Sequence, residues 1–192
     1  MAQGCRPIGE PMLLTQVRNN LALELGQKAP LEVMRELHAR LDERDQALFH
    51  HSLFLGIEMR DQLEYAGGDF LIRNVLGIEP KSGGLVVGAR LEPWKAVQFH
   101  LRDGEASAAD LAARLDRAKE AISAPPAAAL LFSCLGRGEG LYGIPHHDTR
   151  LIRARFDGVP VGGFFCNGEI GPVGGDTFLH GYTSAIALIS PA

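Results

Sequence analysis

Between residues 130 and 183 the chain reads LLFSCLGRGEGLYGIPHHDTRLIRARFDGVPVGGFFCNGEIGPVGGDTFLHGYT, and the residue types able to do chemistry gather there. Two apolar runs, 130–133 and 161–165, end in Cys134 and Cys166 and pass into the glycine-rich loops 136–140 and 167–171. Glycines let a loop take positive φ and bring backbone close to a ligand, so charged side chains among them are well placed for recognition. Arg137 offers a planar fork to a carboxylate. Glu169 and Asp176 offer carboxylates to an ammonium, and with His180 and Tyr182 the group supplies both charge signs and a phenol. Such a set suits a small zwitterion. Glu169 is costly to bury unless paired, so backbone amides, an arginine or a ligand ammonium must satisfy it.

Other chemistries compete for the same residues. A cysteine nucleophile at Cys134 or Cys166 needs a lowered pKa and a base within reach, which His146, His147 or His180 would supply if the loops converge. The simpler reading is two small buried residues at strand ends. A metal site built from one of His146 and His147 with His180, Cys134, Cys166 or Glu169 is chemically sound. Adjacent histidines in an extended segment point to opposite sides, however, so His146 and His147 do not both reach one ion. Gly136, Gly138 and Gly140 suggest a phosphate cradle, but no Gly-Lys-Ser/Thr and no G-x-G-x-x-G opening a helix accompanies them.

The elements that must position these residues are legible in outline. A leading segment, 1–11, has glycines and prolines without periodicity. Strands are expected at 13–17 and 20–25, joined by a turn at 18–20, then a helix over 30–41 with Val33, Met34, Leu37 and Leu41 on one side. A second helical piece spans 42–50 and a strand follows at 53–59; three further strands are expected at 70–75, 85–91 and 97–101, whose close spacing predicts an antiparallel meander. The strongest helix is 108–122, with Leu111, Leu115, Ala118 and Ile122 as its stripe and Ser107 with Asp110 as a capping box. Residues 127–133, apolar without alternation, read as a central strand. A short helix over 147–156, a strand at 161–165 and a closing strand at 184–189 complete the pattern. Hairpins followed by a strand-helix-strand unit predict an α/β protein of the α+β type: a mixed, largely antiparallel sheet with packed helices. Pro125 and Pro126 mark the only break, and one domain over 1–192 is expected.

Composition narrows the function. With 192 residues and 46% apolar content the chain supports a packed core. A formal charge of −4 supplies no general attraction for nucleic acid or an acidic membrane. Three cysteines cannot all pair and lack C-x-x-C spacing, and no apolar leader or run of about 18 apolar residues occurs, so a cytoplasmic location is expected.

The motifs FSCLGRG at 132–138, PHHD at 145–148, GGFFCNGEIGPVGG at 162–175 and FLHGYTSAIALI at 178–189 resemble the C-terminal domain of the FIST family, the "F-box and intracellular signal transduction" proteins. The opening GCRPIGEP and the strand and Pro30-Leu31 that follow are similar to that domain's start. The resemblance places Cys166, Gly168, Glu169, Gly171, Pro172, Leu179, His180 and Gly181 at characteristic positions, with no catalytic role assigned. It implies a non-enzymatic sensory module that binds small molecules such as amino acids, with haem binding and gas sensing as a variant. It also implies an N-terminal FIST domain or a signalling protein as partner, so the chain is expected to be a stand-alone member or a fragment lacking that domain. A cysteine- or metal-dependent enzyme and a purely structural half remain the alternatives.

Overall fold

The structure is a computed structural model that describes residues 1–66 and 68–190. The chain divides into two compact units, one formed by Met1–Cys5 with Asp103–Ala192 and the other by Arg6–Arg102. The division therefore falls at residues 5/6 and 102/103. Pro125 and Pro126 lie inside the first unit and only separate a helix from a strand.

After a two-residue strand β1 (Ala2–Gln3), the Arg6–Arg102 unit is built on a closed barrel. Its strands are β2 (Cys5–Arg18), β3 (Leu21–Leu25), β4 (Leu53–Glu58), β5 (Phe70–Ile78), β6 (Leu85–Val87) and β7 (Ala96–Arg102), in the order β2-β3-β6-β5-β4-β7. Asn19, at φ 56°, makes the expected β2–β3 turn. Alternate inward residues fill the barrel, including Leu14, Leu25, Leu55, Leu85, Val87, Val97, Phe99 and Leu101. Helices α1 (Pro30–His38) and α2 (Glu43–Ser52) pack Val33, Met34, Leu37, Leu48 and Phe49 onto this core. Pro30 stands at the start of α1, and Asp42 caps α2 by accepting from the Asp45 amide at 2.8 Å.

Two expectations change here. The leading segment is not irregular, because β2 begins at Cys5. The meander holds for β5 and β6, but β7 pairs with β4 instead of β6. Closing a barrel requires that non-local pairing and removes a free edge, which sequence spacing does not reveal. Two buried polar side chains, Gln98 and His100, sit on β7. His100 is buried, its Nδ1 lies 3.0 Å from the Gln98 carbonyl oxygen, and burial pulls its pKa down to about 4. Gly56 makes room for it: a β-carbon there would lie 2.5 Å from the imidazole Cε1.

The second unit carries the candidate site. Helix α3 (Gly104–Ala121) begins earlier than its apolar stripe suggests. Asp103 is the N-cap, accepting from the Glu105 and Ala106 amides, so Ser107 and Asp110 are not the capping box. Strand β8 (Ala128–Cys134) follows, then a one-turn helix α4 (Glu139–Tyr142), helix α5 (His147–Arg155) and β9 (Val161–Cys166). β8 and β9 are parallel, in register from Ala129 opposite Val161 to Cys134 opposite Cys166. The 26 residues 135–160 between them give the crossover that a parallel pair needs. A hairpin of β10 (Glu169–Val173) and β11 (Asp176–His180), not anticipated, precedes β12 (Thr183–Ile189). β12 pairs antiparallel with both β8 and β1, giving the order β1-β12-β8-β9. β8 is thus central, as its apolar run predicted. Its inward residues Ala129 and Leu131 pack against Leu111 and Leu115 of α3 and Ile152 and Phe156 at the end of α5. The whole is the expected mixed α/β fold, largely antiparallel, with packed helices. Among the described residues no helix is long and apolar enough to cross a membrane.

Candidate functional site

The inward face of β8 turns polar at its carboxyl end, where Ser133 follows Ala129 and Leu131. Its register partner on β12 is Ser184. The two hydroxyls are 3.1 Å apart, and both donate to Asp148 Oδ2, at 3.3 and 2.9 Å. Asp148 lies in the first turn of α5, so the crossover brings a carboxylate onto this pair of hydroxyls. Arg137, from the loop after β8, donates its Nε to the same Oδ2 at 3.0 Å. The side chains of Arg137 and Asp148 are only 1% and 7% exposed.

His147 and Tyr142 complete the cluster. His147 Nδ1 lies 2.9 Å from Asp148 Oδ1, and its ring stacks on Tyr142 with centroids 3.7 Å apart and planes at 16°. Tyr142 in turn shares a 2.9 Å hydrogen bond with Ser107 of α3, and the Arg137 guanidinium lies 5.6 Å above its ring. Burial, chiefly, pushes the Tyr142 phenol up to about 12. For Asp148 burial works upward, but the Arg137 charge and hydrogen bonds from Arg137, His147 and Ser184 outweigh it and hold the carboxyl below its ordinary value.

In front of this cluster is a cavity of about 370 Å³. It is lined by Leu131, Ser133 and Asp148, by Phe164, Phe165 and Val161, and by Glu139, His146, His147 and Thr149. β9 opens the space with Gly162 and Gly163. Gly163 has φ 148°, and a β-carbon there would overlap the Leu131 carbonyl oxygen at 1.8 Å, so only glycine lets β9 lie this close to β8. The cavity runs along β9 from Val161 to Phe165, beside Leu131 and Ser133 of β8, and its volume is within the usual 300–1,000 Å³ range of small-ligand sites.

The residues singled out from sequence fall into three places. Arg137 and His147 belong to the buried cluster, and Arg137 faces Asp148, not open space. His146 lies beside the cavity with left-handed backbone, φ 61°. Glu169, Cys166, Cys134 and His180 form a separate group at the start of the β10–β11 hairpin. Glu169 is 1% exposed and accepts from Thr183 Oγ1 at 2.8 Å, the Thr183 amide at 3.2 Å and the Gly168 amide at 3.3 Å. Cys166 donates to it at 3.5 Å, and burial, with Glu169 beside it, pushes the Cys166 thiol up to about 11. That is the wrong direction for a nucleophile. Cys134 is buried and accepts from the Gly136 amide at 3.5 Å. His180 is buried with Nε2 3.1 Å from the Gly171 carbonyl oxygen. Asp176 is exposed at the hairpin tip opposite Val173, and Tyr182 takes φ 63° before β12.

Among the described residues no three His, Cys, Asp or Glu side chains are grouped to hold a metal ion. His147, backed by a carboxylate, has the donor arrangement of a metal-ligating histidine. At about 370 Å³ the cavity is at the low end of small-ligand sites. Asp148, Ser133, Ser184 and Tyr142 were not picked out as site residues from sequence. The available signal was a serine at an inward position of an apolar strand.

Asp148, the buried carboxylate that Arg137 braces, lines the cavity. The chain belongs to the FIST family: the FIST C domain matches residues 30–172. FIST C domains are sensory, non-catalytic modules that commonly pair with an N-terminal FIST domain or a signalling partner. The chain is 41% identical over 189 residues to an uncharacterized protein of Mycobacterium tuberculosis, covering 98% of this chain and 49% of that protein. An uncharacterized protein of Mycobacterium bovis is 39% identical with the same coverage. An F-box/LRR-repeat protein of Arabidopsis thaliana is 32% identical over 124 residues, 55% of this chain and 23% of that protein. The chain thus spans about half the length of the mycobacterial relatives it matches.

Proposed function

We propose that this chain is a cytoplasmic small-ligand-binding sensory module whose site is the cavity along β9 and the adjoining part of β8. The observation that carries this reading is the cavity itself: about 370 Å³, lined by Phe164, Phe165, Val161 and the Asp148 carboxylate that Arg137 braces. The ligand is an amino acid or a similar small polar molecule. Arg137 acts through Asp148, holding the first turn of α5, while Glu169, Cys134, Cys166 and His180 brace the loop behind β9. Asp176 and Tyr182 lie on the hairpin and turn that would move with that loop. Binding favours one arrangement of the 134–148 and 166–181 loops, which a partner reads as a population shift. Ile170 and Leu179, exposed cross-strand neighbours on the hairpin, supply apolar surface for an N-terminal FIST domain or signalling protein.

A thermal-shift screen of amino acids, small organic acids and haem tests this, on the chain alone and joined to the additional half of a relative. A ligand at one hundred times its Kd stabilises by about 2.7 kcal/mol. The expected result is stabilisation by one class of small polar compound, lost in Thr149→Trp, which obstructs the cavity. No shift with or without the additional half, or a shift that survives Thr149→Trp, overturns the assignment. A haem shift with a Soret band would replace it by a haem sensor.

A further inference from the structure

The cavity does not end at its lip. His146, Thr149 and Val161 also line an adjoining surface groove whose other walls are Arg150, Arg153 and Pro160. Two features of this pair of spaces are independent of each other. The inner space is lined mainly by carbon, from Leu131, Val161, Phe164 and Phe165. The outer groove carries two guanidiniums and no carboxylate on its walls. Arg153 and Arg150 follow each other along α5 with a spacing of three, which sets them on one side of the helix. Among the described residues neither side chain forms an ion pair or a hydrogen bond, whereas the next arginine, Arg155, is tied to Asp116 at 3.0 Å.

The charges inside the cavity point the same way. Asp148 is already compensated by Arg137 and accepts from Ser133, Ser184 and Arg137, so it has little left for a ligand cation. Glu139 is exposed. The positive groups that lack partners are therefore outside, and the apolar surface is inside.

Resting on the reading of the cavity as the ligand site, we infer that its ligand is an amphipathic anion, with an aromatic or short aliphatic body held between Phe164, Phe165 and Leu131 and a terminal carboxylate or phosphate held by Arg150 and Arg153. The guanidinium fork suits either anion, bidentate where geometry allows. Within the small polar class this selects compounds with an apolar body, an aromatic or aliphatic amino acid included, recognised by the anionic end and not by the ammonium.

The test compares three probes that share one body: 3-phenylpropionate, 3-phenylpropan-1-ol and 3-phenylpropylamine, by calorimetric titration into the whole chain at low salt. The propionate is expected to bind at least about tenfold more tightly than the alcohol, the value of one charged hydrogen-bonded contact, and to weaken as salt rises. In Arg150→Ala/Arg153→Ala its affinity falls to that of the alcohol, whose own affinity is unchanged. Replacing the propionate by phenylpropyl phosphate separates a phosphate preference from a carboxylate one. Equal binding of propionate and alcohol, unaffected by the arginine substitutions, overturns the anionic end while leaving the cavity as the ligand site. Tightest binding by the amine overturns it in favour of a cation read by Asp148 or Glu139. Binding by none of the three while an amino acid still stabilises the chain overturns the apolar body. Binding of no compound of any class overturns this inference together with the reading it rests on.

Discussion

Arg137 Nε lies 3.0 Å from Asp148 Oδ2 with both side chains removed from water, although ten residues, the one-turn helix α4 among them, separate them in the chain. The pair fixes the loop after β8 to the first turn of α5, and those two segments border the cavity. A buried ion pair gains little over well-packed apolar residues, but removing one partner leaves a buried charge uncompensated. Asp148→Ala is accordingly expected to cost about 3–5 kcal/mol in urea unfolding. The double change Arg137→Met/Asp148→Leu should recover most of it. If Asp148→Ala costs less than about 1 kcal/mol, the pair does not brace the site.

Glu169 separates a bracing role from direct ligand contact. Its two oxygens accept from two amides, a hydroxyl and a thiol. Glu169→Gln puts an amide donor against the Thr183 or Gly168 N–H, so a loss of about 1–3 kcal/mol is expected. Asp176→Asn, on an exposed hairpin tip, should change stability by no more than about 0.5 kcal/mol. Chemical denaturation of both variants checks this, and equal effects would refute the bracing role.

Cys166 should be slow to react. A thiol whose pKa stands near 11 has far less thiolate at pH 8 than an ordinary cysteine. Its iodoacetamide alkylation in the folded chain is expected to be at least about tenfold slower than in the urea-unfolded chain, followed by peptide mass spectrometry. Equal rates would mean that Glu169 and burial do not hold the proton on sulfur.

The cavity wall depends on Gly163. Its φ of 148° and the 1.8 Å approach to the Leu131 carbonyl oxygen leave no place for a β-carbon. Gly163→Ala should separate β9 from β8 at that point and abolish probe binding while the Arg6–Arg102 unit keeps its fold. Amide hydrogen exchange resolves the two units, and unchanged protection across β8 and β9 would contradict the geometry.

How much of this the sequence disclosed depends on range. The stripe Leu111–Leu115 and the unbroken apolar run of β8 are local patterns, and both gave the right element in the right place. Asp103 as the cap of α3 was hidden because Ser107, four residues on, offers the same chemistry and is instead buried within the helix. The β4–β7 pairing and the meeting of Ser133 with Ser184 across 51 residues arise from chain closure, for which no local pattern exists. Arg137 and Glu169 stood out as charges among glycines. Which group each one faces is set by the crossover and the hairpin, so their partners Asp148 and Thr183 were not legible.

His100 ties acid stability to the barrel. Its folded pKa is about 4 against an ordinary 6.5, because burial disfavours the charged ring. The unfolded chain therefore binds a proton that the folded chain does not, over the interval between those values. By linkage, stability rises with pH there and falls as the solution is acidified from about 6.5 toward 4. The full loss is on the order of 3 kcal/mol at 1.36 kcal/mol per pKa unit. His100→Gln, which cannot charge, is expected to flatten that part of the stability curve while costing some stability at pH 8. The Gly56 gap that admits the ring gives a second variant: Gly56→Ala should destabilise the barrel at every pH, since its β-carbon would meet the imidazole at 2.5 Å. Urea unfolding at half-unit pH steps distinguishes the two. A His100→Gln curve as steep as that of the parent chain between pH 4 and 6.5 would show that another group, not this histidine, carries the proton.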